Sequence, residues 1–167
     1  MMRTLFYAFM VIAALGAPAT VFANDAKSET VEAQYLPRDV ITIETKAGQD
    51  YIFEVEMATE GADQARGLMY RTSLNNDSGM LFLFRGESQR TFWMKNTLIP
   101  LDMLFIAHDG TIQHIHHNAK PQDETRITSD TEAMAVLEIN GGLAGTLNIN
   151  EGDKVLHPAF RNVLAPE

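Results

Sequence analysis

Leu101-Asp102-Met103-Leu104-Phe105-Ile106-Ala107-His108-Asp109-Gly110-Thr111-Ile112-Gln113-His114-Ile115-His116-His117 reads as two strands joined by a tight turn. Asp-Gly between apolar runs is a strong hairpin signal, because both residues tolerate the left-handed backbone that such a turn needs. Side chains alternate along a strand. Leu101, Met103 and Phe105 therefore share one face, and Asp102, Leu104 and Ile106 share the other. Both faces are largely apolar, so this strand is expected at the centre of a sheet, covered on both sides. Asp102 then becomes a carboxylate in mostly apolar surroundings. Pro100 stands at the strand start, where its missing N–H does least harm.

The same grammar extends outward in both directions. Ile41–Thr45 and Tyr51–Glu56 alternate around the turn Ala47-Gly48-Gln49-Asp50, a second hairpin. Thr59 is placed to cap a short helix reaching Gly67. Residues 75–79 turn into the buried run Met80–Phe84. Thr91–Lys95 reads as a strand ending at Asn96, and residues 118–130 as a polar loop. Met134–Ile139 is a strand closed by Asn140-Gly141-Gly142. A short helix over 143–147 and a last strand, Lys154–His157, follow. Positive φ is expected at Gly67, Gly79 and Gly141-Gly142, where elements end. About eight short strands with no long amphipathic helix define a mainly β fold: a small antiparallel β-sandwich or a partly closed barrel with one or two short helices.

The chain of 167 residues opens with Arg3 before an apolar run of eleven residues, Leu5–Leu15, and with Val21-Phe22-Ala23 before Asn24. This is the layout of a secretory leader cleaved after Ala23, and the run is short of the roughly 20 residues a spanning helix needs. Residues 24–38 are polar and aperiodic and read as a flexible tether. Residues 39–167 form one β-rich domain, expected to be soluble and periplasmic or secreted. With no cysteine, packing alone must hold an exported domain together, and thiol chemistry is excluded. The 13 Lys and Arg against 22 Asp and Glu give a net charge of −9. That balance lacks the basic footprint of a nucleic-acid binder.

Four segments carry a resemblance. They are Arg66-Gly67-Leu68-Met69-Tyr70-Arg71, Gly79-Met80-Leu81-Phe82-Leu83-Phe84, Phe92 through Ile106, and Val136-Leu137-Glu138-Ile139-Asn140-Gly141-Gly142. In this order, over about residues 40–160, the chain resembles the domain-of-unknown-function-192 family. The resemblance implies a β-sandwich-like domain, found in exported proteins and as a stand-alone prokaryotic unit, and implies no activity. The histidine-rich His114-Ile115-His116-His117 departs from the family pattern.

Glu138 repeats the pattern of Asp102, a carboxylate within an apolar strand. Buried carboxylates are expensive unless paired, and Arg66, Arg71 and Lys95 are the available cations. The candidate ligand-binding set is therefore Trp93, Lys95, Asn96, Asp102, Glu138, Arg66 and Arg71, with Trp93 as an apolar wall and Asn96–Pro100 as a rim. The bland alternative is an internal ion-pair network that holds strand register. Asp102 and Glu138 are also the only pair that could flank a glycosidic bond. There is no nucleophile elbow and no phosphate loop, so catalytic residues stay unassigned.

His114 and His116 share a strand face but are too few to specify a metal site. The six methionines beyond the leader are scattered and read as core. No metal or other cofactor is expected. The partner expected is a small molecule or a cell-envelope protein, with no nucleic acid and no membrane span after leader removal. The leading class is an exported accessory or binding domain. An envelope-sugar hydrolase using Asp102 and Glu138, or a purely structural interaction domain, are the alternatives.

Overall fold

The computed structural model describes residues 32–163; the expected leader, its cleavage site and residues 24–31 of the tether lie outside the described residues. The first hairpin forms as its alternation requires, from β1 (Arg38–Glu44) and β2 (Asp50–Ala58). The chain then crosses through α1 (Gly61–Arg66) into β3 (Ser78–Ser88). Next come β4 (Thr91–Phe92), β5 (Leu101–Ile106), β6 (Ile112–Ala119) and β7 (Ile127–Thr128). After these, β8 (Ala133–Asn140), α2 (Leu143–Thr146), β9 (Lys154–Leu156) and a 3₁₀ turn at Pro158–Phe160 complete the domain.

Seven strands make one sheet in the order β6-β5-β8-β3-β2-β1-β9, and β4 pairs with β7 apart from it. The sheet curls until its two edges meet at one end. There Thr111 bridges Lys154, Ile112 N–H donates to the Asp153 carbonyl at 2.9 Å, and Val155 N–H to the Gly110 carbonyl at 2.8 Å. Of the two expected architectures, the partly closed barrel is the one that forms. At that end, the contact between the edges satisfies strand groups that would otherwise be left unpaired.

Both faces of the sheet are covered. Ile41, Phe53, Leu81, Leu104, Leu137 and Val155 fill the concave side. Met80, Phe82, Met103, Phe105 and Val136 form a second apolar layer with Leu68 and Met94, against which Phe92 and Ile127 pack. Every residue of β5 is buried, as its two apolar faces require. Each large apolar side chain so buried contributes about 1.5–3 kcal/mol. The outer layer is therefore as much a core as the inner one, and the candidate site lies in it.

Several sequence expectations need correction. Antiparallel pairing is broken once, because β2 and β3 run parallel; α1 and residues 67–77 return the chain to the starting end of β2, as a parallel pair demands. Thr59 is not the helix cap: Glu60 holds that position and makes no side-chain cap bond. Only Thr91–Phe92 of the expected strand 91–95 pairs, and the Met94 amide turns to the Asp123 carbonyl at 2.8 Å. Gly67 and Gly142 have positive φ, but Gly79 and Gly141 do not. A Cβ at Gly79 would lie 2.6 Å from the Glu138 carbonyl oxygen, so close strand approach is what requires glycine there. The segment read as a free tether is tied to the domain from Gln34 onward. Gln34 Nε2 donates to the Asp63 carbonyl at 2.9 Å, and Met57 N–H to the Pro37 carbonyl at 2.9 Å.

Candidate functional site

Glu138 sits in β8 directly opposite Met80 of β3 on one side and Met103 of β5 on the other. Directly paired residues present their side chains on the same face, so all three point into the outer apolar layer. The Glu138 side chain is 4% exposed, and burial pushes its pKa up to about 8. At neutral pH it is therefore a protonated acid that can donate a hydrogen bond as well as accept one.

Above it opens a cavity of about 530 Å³. Its walls come from the end of α1, the aromatic residues of β3 and β4, and the segment after β4. Arg66 closes α1, and its Nε is buried with no hydrogen-bond partner among the described residues. Its guanidinium carbon lies 5.7 Å from the Tyr70 ring centre. Gly67 follows at φ 49°, turning the chain so closely over Phe82 that a Cβ would come 3.1 Å from that ring. Phe82 meets Phe92 edge to face at 5.1 Å.

A second arginine, Arg90, also lines the cavity. Pairing of β3 with β8 breaks between Leu83 and Ser88, and Arg90 fills the irregularity. Its Nε donates to the Ala133 carbonyl at 2.9 Å, an Nη donates to the Gly86 carbonyl, and its guanidinium lies 3.9 Å over the Phe84 ring. Desolvation lowers its pKa. Trp93 stands at the mouth, 46% exposed, with Lys95 Nζ 5.2 Å from its ring centre.

Three of the seven candidate residues, Arg66, Trp93 and Glu138, thus line one cavity. Lys95 reaches it only through Trp93. Asn96 serves the rim: its carbonyl accepts from Tyr70 N–H at 2.8 Å, and its Nδ2 approaches the sulfur of Met69 at 3.9 Å.

Asp102 and Arg71 belong elsewhere. Asp102 pairs with Ile139, one position along from the Met103–Glu138 pair, so it points to the concave side. There Oδ1 accepts from the amides of Asn118 at 2.7 Å and Gly142 at 2.9 Å, and Oδ2 from Ala144 at 2.8 Å. Its charge is met by backbone, and it cannot work with Glu138 on one bond. Arg71 donates to both oxygens of Glu56 at 2.7 Å, donates to the Gln34 carbonyl, and lies 3.7 Å from the Tyr35 ring centre. The five-membered charge cluster read from the sequence is therefore replaced by three separate arrangements. Arg90, Phe82 and Phe84 line the cavity without having been singled out as site residues, and Thr97 of the expected Asn96–Pro100 rim lines it too. Phe92-Trp93 was the available signal for an aromatic wall; Arg90, in a polar turn, carried none.

His114 stacks on Phe105 at 5.7 Å, with Nδ1 3.1 Å from Glu151 Oε1. Desolvation, then His114 and His117, lowers the pKa of His116. Among the described residues, no three His, Asp or Glu side chains are grouped to hold a metal ion.

The pattern of the DUF192 family, described as uncharacterized ACR, matches residues 42–157. A solved structure from Sinorhizobium meliloti, described as a candidate transcription regulator, is 39% identical with a TM-score of 0.74, and the match covers 75% of this chain and 98% of that one. A protein of unknown function from Novosphingobium aromaticivorans is 41% identical with a TM-score of 0.71, over 77% of this chain and 95% of its own. No curated protein matches the chain. A match running from within β1 to just past β9, with two solved structures of the same architecture, makes this chain a member of the domain-of-unknown-function-192 family.

Proposed function

We propose that the chain is an exported binding domain that takes a small molecule into the cavity over Glu138. The observation that carries this reading is one buried acid lining an open cavity of about 530 Å³, with no ion-pair partner among the described residues and with burial raising its pKa to about 8. Such a group costs stability and is retained where it serves a ligand. Arg66 lines the same cavity, and its Nε is buried and unpartnered among the described residues. Catalysis on a glycoside is not part of the reading, because the second carboxylate, Asp102, faces the other side of the sheet.

Export rests on the leader pattern of residues 1–23. The description of the Sinorhizobium relative as a candidate transcription regulator does not transfer on electrostatic grounds, since a net charge of −9 opposes phosphate contact. The test is a small-molecule screen read by the emission of Trp93, the one tryptophan, on the wild type and on Glu138→Leu. Ligands whose binding weakens about tenfold or more in the variant support the proposal. Ligands indifferent to the substitution, or none at all, contradict it.

A further inference from the structure

Taking the cavity over Glu138 as the binding site, we infer that its ligand is a small organic anion with a flat apolar body, an aromatic carboxylate being the simplest member. Two guanidinium groups, Arg66 and Arg90, line the cavity, and Glu138 is the sole carboxyl among its lining residues. With that acid un-ionised, the lining is cationic within a chain whose net charge is −9. A positive concave surface set in an acidic molecule focuses its field on anions. A cationic ligand would instead meet two like charges.

The donors match the class. Arg66 Nε is buried without an acceptor among the described residues, and a guanidinium fork fits the two oxygens of a carboxylate. The protonated Glu138, in the same lining, supplies a further O–H donor. The rings of Phe82, Phe92 and Trp93 provide the apolar surface on which a flat body packs, Phe82 and Phe92 already meeting edge to face at 5.1 Å. A volume of about 530 Å³ suits a small ligand.

Three probes of one shape separate the class from the site: benzoate, benzamide and benzylamine, titrated against Trp93 emission below the pH at which Glu138 ionises. Benzoate should bind about tenfold or more tighter than the neutral and cationic probes, the difference expected of a charge-assisted hydrogen bond. Arg66→Gln and Glu138→Leu should each weaken benzoate by a similar factor. Benzamide or benzylamine binding as tightly as benzoate, still dependent on Glu138, would overturn the anion assignment and leave the cavity as the site. Failure of all three probes, or binding untouched by Glu138→Leu, would overturn both.

Discussion

Asp102 and Glu138 lie on adjacent strands one residue out of register, and their carboxyl groups point to opposite faces of the sheet. That single step separates their chemistry. Asp102 is fully buried and receives three backbone amides. Glu138 is nearly as buried, and desolvation alone raises its pKa. One carboxylate is built into the fold, and the other is available at a cavity.

Asp102→Asn should therefore destabilise the domain. The amide group keeps one acceptor oxygen and turns an NH₂ toward an N–H donor, leaving at least one buried amide unpaired. The loss should be about 2–4 kcal/mol, or a fall in melting midpoint of roughly 6–12 °C. Thermal unfolding followed by circular dichroism measures it, and an unchanged midpoint would contradict the structural role.

Glu138→Gln should change how stability depends on pH. The folded pKa near 8 lies above the ordinary 4.5, so between these values the folded state holds a proton that the unfolded state has released. Rising pH then destabilises the wild type by up to about 1.4 kcal/mol per pH unit. The penalty is absent below the lower value and complete above the upper one. Denaturant titrations across this window should show the variant gaining on the wild type as pH rises. Parallel curves would show that Glu138 titrates normally.

Arg71→Ala leaves Glu56 buried without its partner; the two side chains are 6% and 5% exposed. Breaking such a pair costs about 3–5 kcal/mol. Glu56 Oε2 also accepts the Leu36 amide at 2.8 Å, so hydrogen exchange at Leu36 should accelerate. The double substitution Arg71→Met with Glu56→Leu should recover most of the loss, because no charge is then stranded. A single variant as stable as the wild type would refute the ion pair's role.

Gly79→Ala would press a methyl group to 2.6 Å from the Glu138 carbonyl oxygen, while a Cβ at Gly86 meets nothing within 4 Å. The first should cost about 1–3 kcal/mol through forced strand separation, and Gly86→Ala should stay within about 0.5 kcal/mol. Equal midpoints for the two variants would contradict the close packing of β3 on β8.

The elements legible in the sequence were those encoded locally. The β1–β2 hairpin, the Asp109-Gly110 turn and the doubly buried β5 follow from alternation and turn chemistry within a few residues. The parallel β2–β3 pair was hidden because strand direction depends on the path of the crossover. Asp102 misled because its partners are backbone amides, which have no residue signature. Arg71 was matched to the wrong acid, since Glu56 looks like an ordinary polar position in an alternating strand. Trp93, Arg66 and Glu138, grouped in the sequence by residue type, line one cavity, and Arg90 joins that lining only through an irregularity in β3–β8 pairing that the sequence does not signal.

The protonation state of Glu138 is the premise on which the binding-site reading stands, and carbon NMR measures it directly. With glutamate labelled at the carboxyl carbon, one resonance, identified by its loss in Glu138→Gln, should titrate near 8. If every glutamate instead titrates in the ordinary range near 4.5, Glu138 is a solvated or paired carboxylate and the cavity has no neutral acid to offer a ligand.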